Sequence, residues 1–425
     1  MAVSKKVKQF KYLWYLLLIT FFQILSCVQL MSNLEENSSG FATIFATYVA
    51  VEWLYVFLMR TLIKQKSFEL EMIAFFLGGI GVALISRKSV DNGLKQVVFT
   101  LAGVFVFLVM RWLIADADRV TKLRFPAAII AAGTLGLTFL IAPEINGAKN
   151  WISLGPVAVQ PSEFVKVAFI FVGAATLDKL QTTKSVFKYL IFTLGCVGAL
   201  ALMKDFGAAL IYFATFVIIA YVRSGDWKSL AALGVAGVIG VILLLSIMNQ
   251  TDIPGIQTAL NRFQNYRHVW EDPSNRGYQQ TQVLMCIASG GLFGVGLGNG
   301  RLLYAFEEAD NDSIFGMIGE EYGIVLGFAV LIAYAGILVY SISAAKSARN
   351  SFYVIAAIGA AGLLVVQASL NTFGTTDVLP FTGVTLPFVS RGGSSLVSCW
   401  ALLAFIKSVD PRAYPKALRE TQLTA

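Results

Sequence analysis

This sequence predicts an all-α polytopic membrane protein of about twelve transmembrane helices, on three observations. Of its 425 residues 57% are apolar and 14% charged, with a mean hydropathy of +0.71, too greasy for a soluble core with a polar shell. Twelve stretches approach the roughly 17 to 25 mainly apolar residues that a bilayer-spanning helix needs, and helices satisfy their own backbone groups in lipid. With the N-terminus on the cytoplasmic side, 21 of the 33 basic residues fall in segments on that side. This positive-inside bias puts both termini in the cytoplasm.

In chain order the stretches are 12–31, 42–59, 70–86, 96–114, 126–142, 163–178, 189–203, 206–222, 229–248, 313–343, 351–371 and 391–407. The first has full span length and no small-residue cleavage pattern, so it reads as a span and not as a signal peptide. Residues 146–163, NGAKNWISLGPVAVQPSE, are too polar to span; they lie at or dip into the interface with Trp151 at headgroup level. Ser162 is expected to cap the next helix, with Glu163 in its first turn. Residues 249–312 form a long outer loop between the ninth and tenth helices, and loops of that length are usually functional. In TGVTLPFVSRGGSS, residues 382–395, Pro387 and Gly392-Gly393 interrupt a run that would otherwise enter lipid, which survives only where protein or water covers the backbone. All three segments fall on the outer side.

The net charge of +8 is spread between spans and not gathered on a face, so nucleic acid is not an expected partner; membrane lipids are. Cys27, Cys196, Cys286 and Cys399 are far apart and read as small apolar residues with neither metal spacing nor a disulfide framework. His268 stands alone as a loop histidine.

Six of the 25 acidic residues, Glu307, Glu308, Asp310, Asp312, Glu320 and Glu321, sit within fifteen positions at the mouth of the tenth stretch and inside it. A carboxylate at the centre of a span costs roughly 2.5 kcal/mol or more, so such residues are functional candidates. Asp312, where water gives way to lipid, is best placed for a raised pKa and general-base work; Glu307, Glu308 and Asp310 read as a solvated rim. If Asp312 begins a continuous helix, Gly316, Gly319 and Gly323 fall within about 40° of it. That glycine face either packs closely on another helix or opens a groove for an acyl chain or sugar. Glu320 lies about 80° around and Glu321 nearly opposite, where bonding to neighbouring helices or to Lys166, Lys204 or Arg391 competes with a substrate role. Arg262, Arg267, Arg276 and Arg301 in the long loop, with Arg391 beside Gly392-Gly393-Ser394-Ser395, suit a phosphate. Acid and base on one face suggest an anionic lipid-linked substrate whose hydroxyl is deprotonated.

The segments NGAKNWISLGPVAVQPSEFVK (146–166), KDFGAAL (204–210), RGYQQTQVLMCIASGGLFGVGLGNG (276–300), NDSIFGMIGEEYG (311–323) and TLPFVSRGGSS (385–395) together resemble the signatures of the SEDS family, the shape, elongation, division and sporulation proteins that include RodA, FtsW and SpoVE. The resemblance covers about residues 70 to 408. It implies a peptidoglycan glycosyltransferase that polymerises lipid II on the outer face of the membrane, beside a class B penicillin-binding protein that crosslinks the strands. By that likeness Asp312 is the catalytic base, and Trp151, Gln160, Ser162, Glu163, Lys166, Arg262, Glu320, Glu321, Arg391, Gly392, Gly393, Ser394 and Ser395 are candidate substrate-binding residues. A divalent cation, magnesium or manganese, or arginines would offset the pyrophosphate charge; no metal-ligand set stands out and no organic cofactor is expected.

The chain departs from the family pattern at Asn150, where arginine is usual, at Lys204, where a proline usually precedes Asp205, at Arg391, where many members carry tyrosine, and at Ser313, usually phenylalanine. The missing proline weakens any specific role for Asp205. Members commonly have three spans before the tryptophan; here five precede Trp151. Residues 1–66 therefore read as an added N-terminal hairpin, 67–408 as the ten-helix membrane core and 409–425 as a cytoplasmic tail. The rival readings are a lipid II flippase, because intramembrane acids and broken helices also mark transport pathways, and an inert scaffold of the wall-building machinery.

Overall fold

A computed structural model of the protein describes residues 2–145, 147–155, 157–179, 183–226, 228, 234, 265–348 and 350–413. Among these residues the chain is a helical bundle. Its first half runs α1 (Ala2–Asn33), α2 (Ser38–Thr61), α3 (Glu69–Ser86), α4 (Val90–Ile114), α5 (Ala117–Ile141), α6 (Pro161–Lys179), α7 (Thr183–Leu202) and α8 (Phe206–Ser224). The second half runs α9 (Tyr278–Gly290), α10 (Leu302–Ala305), α11 (Ile314–Glu321), α12 (Gly323–Ala345), α13 (Ser351–Thr375) and α14 (Gly393–Ser408). Eight of them are long and apolar enough to cross a membrane: α1 to α5, α8, α12 and α13. The stretch 229–248 lies almost wholly outside the described residues. The protein is a multi-pass membrane protein.

The apolar side chains divide as a lipid solvent demands. Trp14, Leu18, Phe21 and Leu25 of α1 and Ile129, Ile130, Leu137 and Leu140 of α5 are exposed on the outside of the bundle. The interior centres on Trp400 of α14, whose ring lies 5.0 Å from that of Phe75 and 6.0 Å from those of Phe107 and Phe388, centroid to centroid. α14 packs along α4 and against α13 and α6, while α13 packs on α8. These contacts bring the starts of α4, α6, α8 and α14 to one end of the bundle.

Within residues 146–163, β1 (Ile152–Leu154) and β2 (Val157–Val159) pair antiparallel as a small hairpin in an otherwise helical fold. The structure corrects three expectations. α6 begins at Pro161, which places Ser162 inside the first turn and not at the cap; proline is favoured there because its missing N–H needs no partner. The long loop between the ninth and tenth stretches contains α9 and α10. The tenth stretch is broken, because Gly323 adopts φ +80° between α11 and α12, a left-handed backbone that glycine alone enters without strain.

The glycine face of α11 serves close packing. A Cβ on Gly316 would lie 2.7 Å from Val283, one on Gly319 2.9 Å from Ile287, and one on Gly290 only 2.1 Å from the Gly319 carbonyl, so α9 and α11 meet backbone to backbone. Gly290→Ala is therefore expected to cost about 1–3 kcal/mol. Gly133→Ala, where nothing lies within 4 Å, is expected to be neutral or to stabilise by up to about 1 kcal/mol through helix propensity. Thermal unfolding of the two variants in detergent, side by side, checks this; equal melting temperatures would overturn it.

Candidate active site

A cavity of about 510 Å³ opens at the end of the bundle where the starts of α4, α6, α8 and α14 meet. Asn92, Lys95 and Gln96 of α4 form one wall, and Asn150, Trp151 and Ala158 around the small hairpin another. Lys204 and Asp205 before α8, Glu308, Asn311 and Asp312 of the acidic turn, and Arg391, Gly392 and Gly393 at the start of α14 complete it. Five of the residues expected at the site thus line one cavity: Trp151, Asp312, Arg391, Gly392 and Gly393.

The acidic turn is held by its own backbone. The carbonyls of Asp310, Asn311 and Asp312 accept in succession from the Arg391 N–H (2.9 Å), the Ser390 hydroxyl (2.5 Å) and Asn371 Nδ2 (2.8 Å). Half-buried Asp312 accepts at Oδ1 from Gln279 Nε2 of α9 and from the Ser313 hydroxyl, both at 3.2 Å. Serine in place of the usual phenylalanine thus supplies a donor to the carboxylate. A carboxylate oriented in this way, at the wall of a polar cavity, can take a proton from a hydroxyl brought within hydrogen-bond reach.

Asp310 is not a rim residue but fully buried. It pairs with Arg391 Nε at 3.0 Å and Lys88 Nζ at 3.7 Å. Burial pushes its carboxyl above the usual carboxylate range, and the charges of Arg391 and Lys88 pull the other way. Arg391 also comes within 4.0 Å of Glu308, so one guanidinium ties the turn to the start of α14 while lining the cavity.

Other expected site residues lie behind the cavity. Glu163 pairs with Lys166 (2.7 Å) and accepts from the Ser398 hydroxyl (3.0 Å); Lys166 donates to Gln367 (2.9 Å), and Gln367 donates to the Thr385 hydroxyl (2.9 Å). The Thr385 hydroxyl meets that of Ser395 at 2.9 Å, and the Ser162 carbonyl accepts from Tyr212 at 2.7 Å. This buried network positions the 385–395 turn, and none of its side chains lines the cavity. Gln160 and Ser394 bond each other through the Gln160 N–H (3.3 Å).

Glu320 and Glu321 do not line the cavity, because a neighbouring loop uses both. Glu320 accepts from the N–H groups of Arg301 (2.7 Å) and Leu302 (3.0 Å). Glu321 accepts from the Gly298 N–H (2.8 Å) and forms a buried ion pair with Arg87. The basic partner of Glu321 is therefore Arg87, and Glu320 is held by backbone N–H groups; Lys166, Lys204 and Arg391 are engaged by Glu163, Glu144 and Asp310 respectively. Arg262 lies outside the described residues.

Sequence reasoning passed over Lys95, Gln279 and Asn371, took Lys204 only as a possible partner of Glu320 and Glu321, and discounted Asp205. Asp205 accepts from the Ala208 N–H (3.1 Å), capping α8, while its other oxygen accepts from Asn150 (2.9 Å) and Gln160 (3.1 Å). The signal was an aspartate immediately before a helix-forming run, an N-cap even without the proline. Asp205→Ala is expected to destabilise by about 1–2 kcal/mol and to slow turnover by releasing Asn150 beside Trp151. An Asp205→Asn variant, which keeps the cap acceptor, separates the two effects in parallel melting and turnover measurements.

Fold and cavity together define an integral-membrane protein with a polar cavity, lined by charges of both signs, at one end of its helical bundle. The chain belongs to the cell cycle protein family of FtsW, RodA and SpoVE, whose model matches residues 79–414. It is 31% identical over 380 residues to a peptidoglycan glycosyltransferase RodA of Mycobacterium leprae, covering 80% of this chain and 77% of that one. To a probable peptidoglycan glycosyltransferase FtsW of Bacillus subtilis it is 29% identical, covering 86% and 98%. A solved structure described as the structural coordination of polymerization and crosslinking by a peptidoglycan synthase complex superposes with a TM-score of 0.66 at 25% identity, covering 80% of this chain and 96% of that one. Thermus thermophilus RodA shares the fold, with a TM-score of 0.59 at 24% identity over 80% and 95%. The family resemblance carried by the motifs is borne out.

Proposed function

We propose that this peptidoglycan glycosyltransferase polymerises lipid II in the Asp312 cavity, on the outer face of the bacterial cytoplasmic membrane, with both termini in the cytoplasm. The observation that carries the reading is the meeting of Asp312, a half-buried carboxylate oriented by Gln279 and Ser313, with three cations, Lys95, Lys204 and Arg391, in a cavity that Asp205 and Glu308 also line. Asp312 takes the proton of the acceptor's sugar hydroxyl as that oxygen bonds to the donor's anomeric carbon. The carbon–oxygen bond to pyrophosphate breaks, and the lipid pyrophosphate leaves with its electron pair. Lys95, Lys204 and Arg391 face the departing charge, where fixed cations in a partly desolvated cavity favour the transition state.

Among the described residues no three His, Cys, Asp or Glu side chains converge into a metal centre, so no step here is routed through a divalent cation. The likeness to a peptidoglycan synthase complex supports a class B penicillin-binding protein as the crosslinking partner.

The test is glycan polymerisation from purified lipid II by the detergent-solubilised protein, with and without magnesium or manganese and the candidate partner. Polymer from the wild type is expected. None under any of these conditions, with folded protein, would turn the assignment to lipid II flipping or to scaffolding.

A further inference from the structure

α1 and α2 lie wholly ahead of the family-matched residues 79–414, and no side chain of theirs lines the cavity. They nevertheless reach the loop that leads into it. Asn33, the last residue of α1, donates from Nδ2 to the Leu297 carbonyl at 2.7 Å, and the Ser26 hydroxyl meets that of Tyr322, at the break between α11 and α12, at 3.1 Å.

The contacted loop is tied along one edge to α11, the Val295 N–H donating to the Glu320 carbonyl (2.9 Å) and the Gly296 N–H to the Glu321 carbonyl (3.1 Å). Gly294, Gly296 and Gly298 all take positive φ, between +81° and +98°, so the chain there visits backbone regions that only glycine enters freely and must be restrained from outside. One side is held by Arg87, which donates to the carbonyls of Gly298 (3.3 Å) and Gly300 (2.9 Å), and by the Glu320 and Glu321 bonds described above. The other side is α1: a Cβ at Gly298 would lie 3.1 Å from the Asn33 Cβ, and one at Gly296 3.0 Å from Gln29 Nε2.

α1 is itself anchored. Gln23 donates to Glu52 of α2 at 2.6 Å with both side chains buried, and Tyr48 of α2 donates to the Phe75 carbonyl of α3 at 3.1 Å. The outer end of α3 then grips both segments, since Arg87 holds the glycine loop while Lys88 donates to the Glu307 carbonyl (3.1 Å) and pairs with Asp310. The glycine loop runs through α10 directly into that turn and Asp312.

We propose that α1 is a positioning element of the transfer reaction, with Asn33 its positioning residue: by fixing the glycine loop from outside the family core, it sets the register of the acidic turn and aims Asp312 into the cavity. The inference deepens the proposed function and rests on it. Misplacing a reacting group by 1 Å can cost about 10²-fold; loss of one bond two segments away should cost less, on the order of tenfold.

The test compares Asn33→Asp, which keeps the shape but loses the donor, with Asn33→Gln, which keeps an amide donor, each in a Ser26→Ala background and against wild type. Turnover on lipid II and amide hydrogen exchange of residues 294–313 are both read. Expected for Asn33→Asp are a fall in kcat of about tenfold with KM nearly unchanged, faster exchange in 297–302 and in 307–313, and partial recovery of both in Asn33→Gln. Unchanged exchange in 307–313 overturns the proposal whether or not any polymer is made, so its failure is distinct from failure of the polymerisation assay. Unchanged kcat, or a loss that follows only the melting temperature, overturns it as well.

Discussion

Asp312→Ala is expected to reduce glycan polymerisation by about 10²- to 10⁴-fold, the range that a positioned general base contributes, while leaving the melting temperature close to wild type. The stability expectation follows from position: the side chain is half-buried, its bonds to Gln279 and Ser313 are long at 3.2 Å, and the turn beneath it is held through backbone carbonyls that the substitution leaves in place. Asp312→Asn is the sharper probe. It preserves shape and an acceptor for Gln279 and Ser313 but takes up no proton, so it should be as inactive as alanine. Activity in the Asn variant would remove Asp312 as the base; the remaining acids of the turn, Glu308 and Asp310, would then be tested, since Glu320 and Glu321 are turned to the glycine loop.

The largest expected effect on stability lies at the other end of α3, far from the cavity. Lys407 is fully buried and donates to Glu71 Oε2 (2.8 Å) and to the Ser67 carbonyl (2.8 Å), while Glu71 Oε1 accepts from Gln65 (2.7 Å) and Tyr55 (3.0 Å). Ser67 and Tyr340 both donate to Asp410 at 2.5 Å, and the Arg412 guanidinium bonds Asp410 as well. Removing one member of such a pair strands the other charge without water, so Lys407→Met is expected to cost about 3–5 kcal/mol, whereas Glu71→Leu with Lys407→Met should cost less than the sum of the single changes. Thermal unfolding of the three variants in detergent measures this. Polymerisation per folded molecule should be unaltered, because no residue of this network lines the cavity. A strictly additive double variant would mean that the pair contributes no coupling.

Much of the architecture was legible because lipid imposes it. A run such as 96–114 or 351–371 has no stable option in a bilayer except a helix, and α4 and α13 follow. The interruption at Gly392-Gly393 was legible too, since glycine and proline within an apolar run mark a backbone that needs cover. What stayed hidden depended on partners far along the chain. The break at Gly323 escapes a reading by helical periodicity, which carries one helix from Asp312 through Gly323; it exists because the carbonyls of Gly291 and Leu292 take the N–H groups of Ile324 and Val325 at 3.0 and 3.3 Å. Asp310 reads as a rim residue beside Glu307 and Glu308 until Arg391 and Lys88, from two other elements, are folded against it.

By itself the sequence determined that this is a multi-pass helical membrane protein, that six of its 25 acidic residues gather at 307–321, and that its motifs belong to one family of wall-building proteins. Composition and local motif suffice for those, because lipid solvation and short-range backbone chemistry act residue by residue. Only the tertiary structure decided that Asp205, Glu308 and Asp312 line the cavity together with Lys95, Lys204 and Arg391, that Glu320 and Glu321 serve a loop, and that α1 touches that loop. A charge in low dielectric is defined by the partners it meets in space, and those partners come from segments tens to hundreds of residues away.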